Sequence, residues 1–150
     1  MTETTTATTS TKPGTIRILI VDDHPIVREG LAARIARQPE LSVCGEAEDV
    51  ADAMELVKSQ RPDLVIVDLS LKSGQGIDLI KRIKAKAPET KMIVSSMYDE
   101  SLYAERALRA GAMGYINKQE MSEKMIDGIR QVLEGKIYLS PQMTERLLQR

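Results

Sequence analysis

Residues 16–23 read IRILIVDD, an apolar and largely β-branched run that ends at two carboxylates. Near-continuous apolar runs of this length are typical of strands that are buried on both faces of a parallel sheet. Further runs follow at 41–45 (LSVCG), 64–67 (LVIV), 92–94 (MIV) and 114–116 (GYI). The sequence therefore predicts five buried strands, most of which end at a polar residue.

The segments between these runs show the periodicity of helices. Apolar residues recur there every three or four positions, and typical start and stop signals flank them. These signals are Pro25 in a first turn, Asp49 and Asp99 as N-caps, and Pro62, Pro88, Gly111 and Gly135 beyond helix ends. Five alternating βα units predict an α/β domain whose parallel sheet carries helices on both faces.

The two ends of the chain differ from this pattern. Residues 2–11 read TETTTATTST, and seven of the ten are threonine, so we expect residues 1–15 to form a disordered tail. The folded domain is expected over 16–135. Met143, Leu147 and Leu148 keep a helical spacing within 136–150, which predicts a linker or a sixth helix there.

Composition excludes several classes of protein. The chain has 42 % hydrophobic and 29 % charged residues, and it contains neither a secretory signal nor an apolar run long enough to span a membrane. One cysteine and one histidine exclude an internal disulfide and a multi-histidine metal site. A net charge of −1 without Phe or Trp gives no sign of nucleic-acid binding. We therefore expect a cytoplasmic protein without a membrane partner.

Chemically active side chains collect where the predicted strands end. Asp22 and Asp23 follow the first run, Asp68 the third, Ser96 the fourth and Lys118 the fifth. Ligands of open α/β sheets bind beyond the carboxyl ends of the strands. The sequence thus predicts that three carboxylates, a hydroxyl and an ammonium meet at one edge of the sheet.

Such a group of side chains favours phosphoryl chemistry. Three neighbouring carboxylates repel one another, and a hard divalent cation such as Mg²⁺ relieves that repulsion while keeping some of its waters. Lys118 would balance the charge of a phosphate, and a hydroxyl would donate to one of its oxygens. One carboxylate would then act as a nucleophile and form an acyl phosphate.

Four motifs carry a resemblance to a known family. They are VDDHPIVREGL (21–31), VDLSL (67–71) with Gly76, VSSM (94–97) and GYINK (114–118). The sequence resembles the receiver domain of two-component response regulators over residues 16 to about 135, and within that family the NarL/FixJ (LuxR-type) subgroup. The resemblance implies a flavodoxin-like (βα)5 fold, with a five-stranded parallel sheet of order 2-1-3-4-5.

The resemblance also implies a role for each site residue. Asp68 matches the phosphoacceptor, and Mg²⁺ would be held by Asp22, Asp23, Asp68 and the backbone carbonyl of Ser70. Lys118 matches the phosphate-binding lysine, Ser96 the switch hydroxyl and Tyr115 the switch aromatic. Ser95 precedes Ser96 by one residue on a strand, so it would point to the opposite face.

The implied function is a phosphorylation switch, in which a sensor histidine kinase phosphorylates Asp68. The phosphate would draw in Ser96 and let Tyr115 turn inward. The domain is then a signalling protein and not an enzyme, because it is the substrate that becomes modified. Family members of this type usually carry a C-terminal DNA-binding helix-turn-helix, which these 150 residues lack. We therefore expect a receiver that regulates transcription and that contacts DNA only through such a domain. We also expect phosphorylation to favour a homodimer.

Three alternatives remain at this stage: a stand-alone receiver, a degenerate receiver that only binds proteins, and a Mg²⁺-dependent phosphatase of the haloacid dehalogenase type. The phosphatase class places its nucleophile in an Asp-x-Asp pattern on the first strand, whereas this strand ends Asp-Asp-His. Lys72 stands where the family usually has proline, and Gln119 where many receivers have proline although this subgroup often lacks it. His24 is interpreted as a packing and hydrogen-bonding residue.

Overall fold

The computed structural model describes residues 14–71 and 76–149, and it gives only the backbone for residues 121–123. The strands are β1 (Ile16–Val21), β2 (Leu41–Ala47), β3 (Leu64–Asp68), β4 (Lys91–Ser96) and β5 (Gly114–Asn117). The helices are α1 (Pro25–Ala36), α2 (Val50–Gln60), α3 (Gly76–Lys86), α4 (Glu100–Ala110), α5 (Met121–Leu133) and α6 (Pro141–Leu148), with a short 3₁₀ turn at Lys118–Glu120. Among the described helices, none combines the length and apolar character needed to cross a membrane.

The five strands form one parallel sheet of order β2-β1-β3-β4-β5. This order confirms the flavodoxin-like fold that the resemblance implies. Val21 of β1 pairs in register with Val67 of β3, so the residues that follow them leave the sheet side by side. The strand order reverses at β1 and β3, and such a reversal opens a crevice at the carboxyl ends of the strands.

Alternating strand residues divide the core between the two faces of the sheet. Ile20, Ile66 and Ile116 pack with α1 and α5 on one face. Val67 and Tyr115 lie in the core on the other face, which α2, α3, α4 and α6 cover. Because side chains alternate along a strand, residues two positions after the three isoleucines return to the α1–α5 side.

The predicted caps at Asp49 and Asp99 are confirmed. Asp49 Oδ1 accepts from the Asp52 N–H at 2.8 Å, and Asp99 Oδ1 accepts from the Ser101 N–H at 3.0 Å. Each carboxylate satisfies one backbone donor that a helix leaves unpaired in its first turn. The cap at Asp99 fixes the start of α4, which residues 97–99 separate from the end of β4.

The C-terminal segment packs back onto the domain. The Tyr138 N–H donates to the Met113 carbonyl at 2.8 Å, and the Tyr115 N–H donates to the Tyr138 carbonyl at 3.0 Å. Met143 of α6 is buried in the core beside α4. The Ser140 N–H donates to Glu100 Oε2 at 2.9 Å, which joins the start of α6 to the start of α4.

Most of the predicted N-terminal tail lies outside the described residues. The structure describes only Gly14 and Thr15 of it, and the Thr15 hydroxyl lies 2.7 Å from Ser42 Oγ. Lys72, the first of the two departures from the family pattern, also lies outside the described residues. Gln119, the second, is exposed, and its N–H donates to Asn117 Oδ1 at 2.9 Å.

Gly76, which opens α3, is expected to tolerate no side chain. A Cβ at this position would lie 2.5 Å from Leu69 Cα and 2.6 Å from the Asp68 carbonyl oxygen, and both are backbone atoms. Overpacking of this kind costs about 1–3 kcal/mol, so we expect Gly76→Ala to lower the free energy of unfolding by about that amount. Urea denaturation followed by circular dichroism measures it.

Gly30 offers a matched control for this substitution. It lies inside α1, and a Cβ there would meet no atom within 4 Å. Alanine in an open helical position stabilises a protein by about 0.5–1 kcal/mol relative to glycine. Gly30→Ala should therefore raise the denaturation midpoint, and equal effects of the two substitutions would contradict the contact argument for Gly76.

Candidate functional site

Asp22, Asp68 and Lys118 meet at the carboxyl edge of the sheet. Lys118 Nζ lies 2.7 Å from Asp22 Oδ2 and 3.2 Å from Asp68 Oδ2. The three side chains are almost completely buried, with 2 % of Asp22, 0 % of Asp68 and 7 % of Lys118 exposed. The structure thus brings together the two carboxylates and the ammonium that the sequence places at three strand ends.

Strand alternation explains why these three side chains converge. Asp22, Asp68 and Lys118 each stand two positions after an isoleucine that packs on the α1–α5 face. The three functional groups therefore leave the sheet on the same side. Their ion pairs are buried, so the attraction between their charges is screened much less than it would be at the surface.

Asp23 and His24 extend this cluster toward the surface. His24 Nδ1 lies 3.0 Å from Asp22 Oδ1, 3.0 Å from Asp23 Oδ1 and 4.0 Å from Asp68 Oδ2. The His24 N–H also donates to Asp22 Oδ1 at 2.8 Å. The sequence analysis interprets His24 as a packing and hydrogen-bonding residue. These contacts agree with hydrogen bonding, whereas 60 % of the side chain is exposed and is therefore not packed in the core.

Ser70 holds one oxygen of Asp68. Its N–H and its hydroxyl both donate to Asp68 Oδ1, at 3.0 and 2.9 Å. The other oxygen, Oδ2, faces Lys118. The sequence analysis missed the contact of this hydroxyl, although a serine two residues after an aspartate is a common turn arrangement that could have indicated it.

Arg28 of α1 contacts the backbone that carries the acidic cluster. Its Nη1 donates to the Asp22 carbonyl at 2.6 Å, and its Nε lies 3.2 Å from Glu46 Oε1. This second contact is made across to β2, so α1 and β2 together fix the backbone that carries Asp22. The sequence analysis missed this residue, because nothing in a helical pattern shows which arginine bends back toward a strand end.

Ser96 and Tyr115 meet on the other face of the sheet. Ser96 Oγ accepts from the Tyr98 N–H at 2.9 Å, and the Tyr115 hydroxyl donates to the Tyr98 carbonyl at 2.9 Å. Ser95 pairs in register with Asp68. Since neighbouring residues of a strand alternate, this pairing puts Ser95 on the face of Asp68 and Ser96 on the opposite face.

The Tyr115 ring already lies inside the protein, with 3 % of the residue exposed. In this structure the ring thus occupies an inward position, where its hydroxyl reaches the Tyr98 carbonyl. Burial raises the pKa of Tyr115 to about 12, although a hydrogen bond with Ser96 works in the opposite direction. The phenol is therefore neutral and keeps its proton for the bond to Tyr98.

The donor set fits a hard divalent cation. Asp22, Asp23, His24 and Asp68 each offer a ligand atom, and these four atoms lie within 4.8 Å of one another. Three carboxylates lie together here, and among the described side chains the ammonium of Lys118 pairs with two of them, Asp22 and Asp68. The surplus negative charge is of the kind that Mg²⁺ neutralises, and carboxylate oxygens are its preferred protein ligands.

Comparison with known proteins identifies the family to which the chain is related. A family model of the response regulator receiver domain matches residues 18–130. The oxygen regulatory protein NreC of Staphylococcus carnosus is 36 % identical over 134 residues, which cover 89 % of this chain and 62 % of NreC. The transcriptional regulatory protein DegU of Brevibacillus brevis is 32 % identical over 133 residues, which cover 89 % of this chain and 56 % of DegU. The chain thus spans somewhat more than half the length of these relatives.

Solved structures show the same relationship. A LuxR-family two-component response regulator from Aurantimonas sp. superposes with a TM-score of 0.83 at 34 % identity, covering 90 % of this chain and 96 % of that chain. The isolated receiver domain of RcsB from Salmonella enterica serovar Typhimurium gives a TM-score of 0.81 at 29 % identity, covering 90 % and 99 %. By sequence and by fold, the chain belongs to the response regulator receiver domains of two-component systems, in the NarL/FixJ (LuxR-type) subgroup.

Proposed function

We propose that this domain is a phosphorylation switch whose phosphoacceptor is Asp68. The proposal rests on one observation, which is that the two oxygens of Asp68 have different neighbours. Ser70 donates twice to Oδ1, whereas Oδ2 faces the ammonium of Lys118 at 3.2 Å. Oδ2 is thus the oxygen that an approaching phosphorus would meet, beside a cation that balances the charge of the phosphoryl group.

The donor in this proposal is the phosphohistidine of a sensor histidine kinase. Asp68 Oδ2 attacks the phosphorus, the bond from phosphorus to the donor imidazole breaks, and an acyl phosphate forms on Asp68. Asp22, Asp23, Asp68 and the Ser70 carbonyl would hold Mg²⁺, which stabilises the negative charge of the phosphoryl oxygens. Lys118, which is buried and paired with Asp22 at 2.7 Å, would contribute a positive charge from the β5 side.

Ser96 and Tyr115 carry the readout in this proposal. Ser96 Oγ accepts from the Tyr98 N–H, and in this proposal its hydroxyl would turn from the Tyr115 oxygen to donate to an oxygen of the phosphoryl group. A second bond to Ser96 would hold the β4–α4 loop in place, and with it the carbonyl that Tyr115 contacts. Phosphorylation would therefore stabilise the inward position of Tyr115 at the expense of other arrangements.

A continuous set of contacts links this loop to the C-terminal segment. The Tyr115 N–H donates to the Tyr138 carbonyl, and Glu100, which follows the cap of α4, accepts from the Ser140 N–H. A conformational change at the start of α4 would therefore be transmitted to the start of α6. The longer relatives include proteins named as transcriptional regulators. We propose that α6 leads to a C-terminal LuxR-type helix-turn-helix domain, through which the whole protein acts on DNA.

Exposed apolar side chains flank the site and fit the proposed protein partners. Ile26 follows the Asp22–Asp23 corner and is 81 % exposed, and Met97 follows Ser96 directly and is 57 % exposed. Such side chains near a charged centre suit a partner helix that brings its phosphohistidine to Asp68. The proposed encounter with the kinase takes place in the cytoplasm, and phosphorylation would also favour a homodimer.

The contact between Glu100 and Ser140 gives a testable consequence. The charged acceptor makes this hydrogen bond stronger than a neutral one would be, at about 1.5–3 kcal/mol. We expect Glu100→Ala to speed amide hydrogen exchange in residues 141–148 by about tenfold, as measured by mass spectrometry. Glu105→Ala, on the same helix but paired with Arg109 within it, should leave exchange in α6 unchanged. Equal exchange in all three proteins would show that the contact does not hold α6.

Intact-protein mass spectrometry after incubation with Mg²⁺ and acetyl phosphate tests the proposed function. The parent should gain one phosphoryl group, and Asp68→Asn should gain none because its amide is not a nucleophile. EDTA added beforehand should prevent the adduct. The structure of a relative, the isolated receiver domain of RcsB, has been determined in the presence of the phosphomimetic beryllofluoride, so binding of that mimic is a second readout. Phosphorylation of Asp68→Asn to the level of the parent would refute the assignment.

A further inference from the structure

The imidazole of His24 is the part of the acidic cluster that the proposed function leaves unused. His24 is the one histidine of the chain. It stands at the N-cap of α1, but its side chain makes no capping hydrogen bond to that helix. The ring instead points toward the carboxylates, with Nδ1 3.0 Å from both Asp22 Oδ1 and Asp23 Oδ1.

The spacing of these atoms matches that of ligands around one ion. In an octahedral site with bonds of about 2.1 Å, neighbouring ligands lie about 3.0 Å apart and opposite ligands about 4.2 Å apart. Nδ1 is 3.0 Å from an oxygen of Asp22 and 3.0 Å from an oxygen of Asp23, which is the separation of neighbouring ligands, while the 4.0 Å distance to Asp68 Oδ2 concerns the oxygen assigned to phosphoryl transfer and defines no ligand position. A neutral imidazole that carries its proton on Nε2 presents a lone pair on Nδ1.

We propose that His24 Nδ1 is an additional protein ligand of the cation bound by Asp22, Asp23 and Asp68. Imidazole suits zinc, copper, iron and nickel, whereas Mn²⁺ shares with Mg²⁺ a preference for carboxylate, carbonyl and water oxygens. The ligand class is therefore a divalent cation that takes oxygen ligands and accepts one nitrogen beside them, with Mn²⁺ as its probe, and His24 should strengthen the binding of Mn²⁺ more than that of Mg²⁺. The inference rests on the cation site of the proposed function and adds to it the identity of the ion.

A direct spectroscopic test follows from the single histidine. Untagged protein is loaded with Mn²⁺ and examined by electron spin-echo envelope modulation, which detects nitrogen nuclei bound to the ion. We expect the modulation of a coordinated imidazole ¹⁴N, and its replacement by ¹⁵N frequencies when the protein is grown with ¹⁵N-histidine. Because the chain has one histidine, this change assigns the ligand to His24 without mutation.

Affinities of two variants complete the test. Free Mn²⁺ is counted by continuous-wave electron paramagnetic resonance, and Mg²⁺ affinity is obtained by competition. Loss of one ligand should weaken Mn²⁺ binding to His24→Ala by roughly tenfold, and Mg²⁺ binding by less than about twofold. The variant should fold normally, since the removed ring is largely exposed and caps nothing. Asp23→Asn, the matched control, should weaken the binding of both ions.

The outcomes separate this inference from the proposed function. Mn²⁺ binding without a nitrogen signal, or equal Mn²⁺ affinity of the parent and His24→Ala, would overturn the role of His24 and leave the cation site intact. Absence of Mn²⁺ binding to the parent would overturn both. A nitrogen signal that disappears in His24→Ala, with Mg²⁺ affinity retained, would establish His24 as the residue that selects the ion.

Discussion

Replacing Lys118 with methionine is expected to lower the free energy of unfolding by about 3–5 kcal/mol when no divalent cation is present. The physical reason is that Lys118 pairs with both Asp22 and Asp68 where all three side chains are buried. Removing one partner of a buried ion pair leaves the other partner uncompensated, which costs far more than breaking a pair at the surface. Urea denaturation in the presence of EDTA measures the difference.

Saturating Mg²⁺ should recover part of this loss. In Lys118→Met, the carboxylates of Asp22, Asp23 and Asp68 carry more unbalanced charge than they do in the parent. A cation that binds the folded state stabilises it by RT ln(1 + [L]/Kd), and the tighter binding expected for the variant makes this gain larger. The denaturation midpoint of Lys118→Met should therefore rise more with Mg²⁺ than that of the parent.

Lys124→Met is the matched control. Lys124 lies 3.5 Å from Glu120 one helical turn away, and both side chains are about half exposed. Pairs of this kind contribute about 0.3–0.5 kcal/mol, so the substitution should change the stability little, with or without Mg²⁺. A loss in Lys118→Met as small as that in Lys124→Met would show that the buried pairs do not stabilise the fold.

The sheet and the position of the acidic edge could be predicted because both depend on short-range patterns. An apolar run that stops at a carboxylate marks a buried strand end, and parallel strands bring their carboxyl ends to one edge. The pairing of Val21 with Val67 then places Asp22 and Asp68 side by side. The sequence motif supplied the expected order of the strands, which a periodic pattern alone does not contain.

The contacts that the sequence analysis missed depend on the direction of single side chains. Ser70 turns its hydroxyl back to Asp68, and Arg28 reaches the Asp22 carbonyl from the next helix. The inward position of Tyr115 depends on the space left between β5 and α4 and on the Tyr98 carbonyl. Packing in three dimensions determines each of these, and a strand or helix period carries no information about them.

The Tyr115 phenol is expected to make stability fall as the pH rises through the range 10–12. Its pKa is about 12 in the folded protein and about 10 when the chain is unfolded, because burial disfavours the phenolate. The stabilising effect is complete below pH 10, where neither state has lost the proton. Between these values the unfolded chain releases it and the folded protein does not, so the equilibrium shifts toward unfolding.

Tyr115→Phe isolates this effect. At about pH 8 the variant should be less stable than the parent by about 1 kcal/mol, because the bond to the Tyr98 carbonyl is lost. At about pH 11, ionisation of the phenol in the unfolded chain lowers the free energy of unfolding of the parent by roughly 1–2 kcal/mol. The variant has no phenol and does not undergo this decrease. The two denaturation midpoints should therefore converge or cross between these values. Since all other groups titrate alike in both proteins, a constant difference from pH 8 to 11 would contradict the buried, neutral phenol as the source of the dependence.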